Sequence, residues 1–245
     1  MDRVLVWDLP VRIFHWLLVA GFGAAAAIAL FGDDDSPLFP YHAIIGLVLT
    51  LMVVLRVAWG FLGSRYARFV SFAYGPVAVA GYLKDALGGG GRRCIGHNPG
   101  SAYAIFAMLA LLLGQGATGV LVAIGYEDFK EVHEVLAYTM LAVIGVHVLG
   151  VLLHSLRHRE NIIRSMIDGT KQAEPGDAIP SSRPIAAIVM LFVLGAAAYG
   201  LLATYDAASR TTRLPLLSTP LQLGEVEHER SVSRQHEADD DHDDD

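Results

Sequence analysis

Ten histidines punctuate the chain, and five of them (His15, His42, His133, His147 and His154) stand in or at the ends of long apolar runs. An ionisable ring in such surroundings is costly to bury and usually marks function or faces a partner. A single case is more often a hydrogen-bonded helix contact than a ligand; five in one small chain need another explanation. Spacing supplies one. His133 and His147 are fourteen residues apart, which is a rise of roughly 21 Å in an α-helix and a return to within about 40° of the same direction. Two imidazoles then look out from one face of one helix at two depths. Each can share a metal centre with a second imidazole on a neighbouring helix.

The elements that must position these rings are apolar helices. Hydrophobic residues make up 53% of the 245 positions and charged residues only 18%, against about 25% in a typical soluble domain. Five runs approach or exceed the ~20 residues needed to span a bilayer. They cover Val11–Phe31, His42–Leu62, Ala102–Ile124, Val132–Leu156 and Pro184–Tyr205. The first is longer than the apolar part of a secretory signal, so it reads as an uncleaved first helix. Pro76–Leu87 reads as a further helix lying along the membrane surface. Basic residues collect in the loops at 63–100 and 157–183, whereas Asp33, Asp34, Asp35, Glu127, Asp128 and Glu131 lie on the other side. The positive-inside rule then predicts a cytoplasmic N-terminus and an external C-terminus.

The formal net charge is −7, and the excess lies in the last 41 residues; the body sums to zero and offers no polycationic face for nucleic acid. The tail from Ala207 to Asp245 reads as disordered and acidic. Cys94 is the one cysteine. This excludes an internal disulfide, a CxxC redox pair, a thiolate zinc site and covalent CxxCH haem attachment.

Topology pairs the rings. His15 and His147 fall at the cytoplasmic side, and His42 and His133 at the outer side. Paired neutral imidazoles across an apolar bundle suit six-coordinate haem b, whose flat macrocycle is buried between helices. Zinc fits less well, because neither pair gathers four ligands or a carboxylate cluster. Gly46, Gly114, Gly116, Gly119 and Gly145 would let a macrocycle approach the backbone, or they serve ordinary helix packing. Arg56, fourteen residues after His42, is level with the inner pair. It would either meet a haem propionate or snorkel to the surface. His154 is a proton- or substrate-handling residue or, the reading preferred here, an interfacial histidine.

Several segments resemble the bacterial cytochrome b561 family, including the cytochrome b subunits of nickel-iron hydrogenases. They are VWDLPVRIFHW at 6–16, HAIIG at 42–46, RVAWGFLGSRYARF at 56–69, GHNPG at 96–100, HEVLA at 133–137 and HVLGVLLHSLRHREN at 147–161. The resemblance runs from about Val4 to Lys171. It implies a four-helix diheme core, with His15 and His147 on the inner haem and His42 and His133 on the outer. The fifth span and the tail are extra to that pattern.

The fold expected is an all-α integral membrane protein: a four-helix transmembrane diheme bundle plus a fifth C-terminal transmembrane helix. Its parts would be a 1–171 core, a 172–206 linker and fifth helix, and the 207–245 tail. The function expected is transmembrane electron transfer in a bacterial inner membrane. The family implies a periplasmic redox partner at one end and the quinone pool at the other, with two haem b as cofactors. The acidic tail favours a cationic, c-type cytochrome-like partner by electrostatic complementarity. A homodimer stays open. Two rivals remain: a quinone-linked superoxide oxidase, and a non-redox transporter or scaffold with metal-binding histidines. Whether the chain is an enzyme or an electron carrier is left open.

Overall fold

The computed structural model describes residues 2–32, 36–88, 94–158, 161–214 and 220–224. Asp33, Asp34, Asp35, Arg92, Arg93, Arg159 and the acidic stretch 225–245 lie outside the described residues.

Strand β1 (Asp2–Leu5) leads into α1 (Leu9–Phe31), followed by α2 (Phe39–Leu62), α3 (Pro76–Leu87), α4 (Pro99–Ala123) and α5 (Phe129–His158). Next come a short α6 (Ile162–Asp168), β2 (Thr170–Ala173), α7 (Pro184–Ala203), β3 (Thr211–Arg213) and β4 (Pro220–Gln222). Five of these helices, α1, α2, α4, α5 and α7, are long and apolar enough to cross a membrane. The chain is an all-α integral membrane protein.

Start signals in the sequence account for the helix boundaries. Asp8 caps α1, its Oδ1 accepting from the Val11 amide at 3.0 Å, and Pro10 sits in the first turn where no amide partner is lost. Asn98 caps α4 in the same way, with the Ser101 amide at 2.8 Å and Pro99 behind it. Gly169 ends α6 at φ 81°, a left-handed conformation that glycine adopts without strain.

Helix α2 is the centre of the bundle, packed against α1, α4 and α7. Met52 and Val53 on α2 meet Phe14 of α1, Leu109 and Leu112 of α4, Met140 of α5 and Leu194 of α7. In water each such side chain would stabilise by ~1.5–3 kcal/mol. In lipid the gain is close packing instead, since the tails are as apolar as the core. Small residues make the approach possible. A Cβ on Gly116 would lie 2.2 Å from Thr50 Oγ1, so this glycine permits α4 to rest on α2.

Helix α5 is placed differently. Its extended contacts are with α4 and α6, whereas α1 and α2 are packed on each other and on α7. Met140 of α5 nevertheless shares the buried cluster of Met52 and Val53 on α2 and Phe14 on α1.

At one end, β1 pairs antiparallel with β2, Asp2 opposite Ala173 and Leu5 opposite Thr170. Arg3 donates to Asp168 at 2.7 Å. The 172–183 stretch, expected as a linker, is built into this end. Ile179 N donates to Leu5 O at 2.9 Å and Leu9 N to Ser182 O at 2.8 Å. Ile179 is buried with Val6, Trp7 and Tyr66. The stretch between β2 and α7 is thus an ordered connection whose backbone groups pair with the N-terminal segment.

At the other end the expectation of disorder from Ala207 is corrected. β3 and β4 form an antiparallel hairpin, Thr212 opposite Leu221. Leu221 and Leu223 are buried against Ile44 and Leu201. Thr212 Oγ1 donates to Leu201 O at 2.7 Å. Apolar residues at alternate positions were enough to fold this stretch onto α2 and α7.

Candidate functional site

The outer pair is the better defined. His42 and His133 have ring centroids 6.2 Å apart and planes crossed at 79°. Both rings are held by their Nδ1 atoms. His42 Nδ1 meets the Ala25 carbonyl of α1 at 2.9 Å. His133 Nδ1 meets the Gln115 carbonyl of α4 at 3.1 Å and Thr118 Oγ1 at 3.0 Å. A carbonyl can only accept, so each Nδ1 carries the proton and each Nε2 is left as a lone-pair donor. Phe39 stacks on His42, with centroids 5.6 Å apart.

The separation is one that two imidazoles sharing a metal would have. A metal–imidazole bond is ~2 Å and a ring centroid lies about 1 Å behind its nitrogen, so rings on opposite faces of one metal stand ~6 Å apart. The observed 6.2 Å matches. Among the described residues no group of three or more His, Cys, Asp or Glu side chains could hold a metal ion.

The second expected pair, the inner one, has His15 on α1 and His147 on α5. His15 packs edge-on against Trp16, whose Nε1 donates to Met166 O at 3.1 Å. His154 is half-buried near the inner end of α5.

Arg56 does not snorkel. Its side chain is 4% exposed, with the guanidinium 5.9 Å from the Phe14 ring centroid and 5.4 Å from that of Phe69. Its Nη1 is buried without a hydrogen-bond partner. The glycines divide. Gly116 is explained by packing, and a Cβ on Gly114 would sit 3.1 Å from Leu136. At Gly46 and Gly145 a Cβ would meet nothing within 4 Å, which leaves room beside His42 and His147.

His97 belongs to the GHNPG segment, outside the five apolar runs. The structure buries it at the inner end, between Trp7 at 4.7 Å and Phe72 at 4.4 Å. Its Nδ1 is a second buried polar atom with no partner. Burial, then the charges of Arg56, Lys171 and His147, push its pKa down to about 3, so the ring is neutral. Gln115 Nε2, one turn of α4 from Thr118, is a third such atom. The GHNPG stretch was the available signal for His97, but a loop histidine has no periodicity to say where it points.

Residues 6–169 match the family model for prokaryotic cytochrome b561. The chain belongs to the prokaryotic cytochrome b561 family. It is a b-type cytochrome of the membrane, and its work is membrane electron transfer. The family implies haem b, and the described residues suit it: His42 and His133 stand close with each Nδ1 bonded to a backbone carbonyl and each Nε2 free of a proton, and Arg56, His97 and Gln115 carry buried polar atoms without a hydrogen-bond partner. Similar curated proteins carry the name "Probable Ni/Fe-hydrogenase B-type cytochrome subunit". The protein of Rhizobium leguminosarum bv. viciae is 24% identical over 215 residues, covering 69% of this cytochrome and 89% of the relative. That of Rhodobacter capsulatus is 23% identical, covering 68% and 80%. A counterpart in Escherichia coli (strain K12) is 30% identical over 77 residues, covering 26% of this cytochrome and 33% of the relative. No solved structure matches the cytochrome. The family match stops at residue 169, so α7 and the β3–β4 hairpin lie beyond it.

Proposed function

We propose that the chain holds two haem b groups, one between His42 and His133 and one between His15 and His147, and relays electrons between the two membrane surfaces. The observation that carries this reading is the outer pair: two imidazoles at 6.2 Å, each tied through Nδ1 to a helix carbonyl. Bound there, haem iron supplies reversible one-electron storage.

The protein's own residues do the rest. The Ala25 and Gln115 carbonyls fix which nitrogen of each ring is free and raise its basicity. Thr118 holds the His133 ring from the side. The apolar walls of α1, α2 and α5 keep water away, so little solvent must reorganise when charge moves. Phe39 covers the outer face of His42.

The end bearing the N-terminus, β2 and the basic loops is assigned to the cytoplasm of a bacterial inner membrane, and the hairpin end to the periplasm. The proposed exchange is between a periplasmic redox protein and the quinone pool. The relatives' names make a hydrogenase one candidate for that redox protein. The acidic 225–245 stretch favours a cationic c-type cytochrome as the other. The deciding experiment is a pyridine haemochrome count on the purified, fully loaded protein. Two non-covalent haem b per chain is the expected result; a count near one rejects the pairing scheme.

A further inference from the structure

Two buried donors at the inner end remain unused by the axial ligands. Arg56 is a guanidinium inside the bundle, held by the faces of Phe14 and Phe69. Its charge has no ion pair among the described residues. Asp8, the buried carboxylate that caps α1, has its oxygens already engaged. Oδ1 takes the Val11 amide at 3.0 Å, and Oδ2 takes Trp59 Nε1 at 3.1 Å and the Ser64 amide at 3.4 Å. A buried cation with only aromatic faces around it is expensive unless an anion completes its shell.

His97 reaches the same corner through an aromatic chain. Phe69, under Arg56, packs on Phe72 with centroids 5.8 Å apart, and Phe72 packs on His97 at 4.4 Å. Tyr74 Oη donates to the His97 carbonyl at 3.0 Å and fixes that backbone. Trp7 closes the far face, and its Nε1 is tied to Ser165 Oγ at 3.2 Å. A ring held this firmly with an unpartnered, fully buried Nδ1 is built to meet something.

We propose that Arg56 and His97 together form the carboxylate-binding corner of the inner haem site and hold one propionate of that haem. The assignment rests on the two-haem reading. Arg56 supplies the charge and His97 a single N–H donor, so the carboxylate is neutralised once and hydrogen-bonded from two directions. Both are positioning residues; neither touches the iron. The division also explains why His97 comes from a loop rather than a span. The propionate edge of a haem is its polar edge, and it belongs where the bundle meets the surface layer made by β1, β2 and residues 94–98.

The test uses the full-length, haem-loaded protein and two variants of one residue. His97→Phe keeps the aromatic stack and removes the donor. His97→Asn loses the ring and restores an N–H near the position of Nδ1. Haem loss to apomyoglobin and the two midpoint potentials are measured, the inner haem being the one that His147→Ala removes. The expected result is roughly tenfold faster loss of the inner haem in His97→Phe, as for a lost charge-assisted hydrogen bond, with a lowered inner potential. The outer haem should be unchanged and His97→Asn should recover most of the effect. Arg56→Gln should move the same haem in the same direction. Reconstitution with haem dimethyl ester, which has no carboxylate, should abolish the difference between wild type and His97→Phe. A purely structural role for His97 predicts that the difference survives esterification, and that outcome overturns the proposal. A wild-type count of two haems with His97→Phe unaltered overturns the corner alone. A wild-type count below two overturns the reading beneath it as well.

Discussion

Trp59 near the end of α2 donates its indole N–H to Asp8 Oδ2 at 3.1 Å, so the residue that caps α1 also locks α2 to it. Asp8 is 1% exposed and serves three N–H donors at once. Asp8→Ala removes the cap and leaves the Trp59 and Ser64 N–H groups unpaired. A loss of about 2–4 kcal/mol follows. Thermal unfolding in detergent should register this as a clear fall in the transition. Trp59→Phe, which removes one bond and keeps the ring, should cost about 1 kcal/mol. A larger loss from Trp59→Phe than from Asp8→Ala would contradict the shared-cap account.

The two histidine pairs should be separable. His42→Ala or His133→Ala should remove the outer haem, and His15→Ala or His147→Ala the inner one. Each leaves a single unpaired imidazole in an apolar site, so the affected haem leaves or turns high-spin. Optical and EPR spectra distinguish the two centres. If His15→Ala disturbed the centre lost in His42→Ala, the depth assignment would be wrong.

Thr118 is a finer probe. Its Oγ1 lies 3.0 Å from His133 Nδ1 and donates to Gly114 O at 2.9 Å. Thr118→Val keeps the shape and removes the hydroxyl. Changes at such supporting positions typically weaken a metal site by about 10–100-fold; with Gln115 O still in place, the lower end is expected. Outer-haem retention should fall and inner-haem retention should not. Equal loss of both would point to general loosening of α4.

The β1–β2 clamp should respond to acid. Burial is the largest single influence and raises the Asp168 pKa, but hydrogen bonds from the Thr170 amide and hydroxyl, with Arg3 and Arg164, together outweigh it and hold the carboxyl below its ordinary value. A lowered folded pKa means stability that is present above the unfolded value, ~3.9. It is lost as pH falls through the folded value. Hydrogen exchange at residues 2–5 should therefore accelerate in that acid window, and Asp168→Asn should flatten the dependence. A slope that persists in Asp168→Asn would assign it elsewhere.

Two truncations divide the C-terminal region. Ending the chain after Gly224 removes only the acidic 225–245 stretch and should leave both haem spectra unchanged. Reduction by a cationic partner should slow at low ionic strength and recover with salt. Ending it after Thr204 removes buried Leu221 and Leu223 as well. It also uncovers Phe39, whose ring lies 3.5 Å from the position of a Cβ on Gly224. The thermal transition should fall and the outer centre should become more solvent-exposed, read as a lowered outer potential. Identical behaviour of the two truncations would remove any role for the hairpin.

The five spans were legible in the sequence because length and unbroken apolarity are local properties, and a bilayer obliges such runs to be helical. The helix starts at Asp8–Pro10 and Asn98–Pro99 were written locally too. So was the fourteen-residue spacing of His133 and His147, since helical geometry alone sets which face a residue takes. Arg56's choice between burial and snorkelling was not: it depends on Phe14 and Phe69, which lie 42 residues before and 13 after it in the chain. The β1–β2 pairing joins residues near 3 and 172, and no pattern within either short strand names the other. Residues 211–224 carry five leucines but are interrupted by Pro215 and Pro220, so no local period names their partner, and it is the apolar ledge of Ile44 and Leu201 that buries Leu221 and Leu223. His97 had no helix to give it a face; Trp7 and Phe72, packed from two other segments, put it inside. Tertiary structure decided these because each depends on a partner distant in sequence, whereas span, cap and helical face depend only on neighbours.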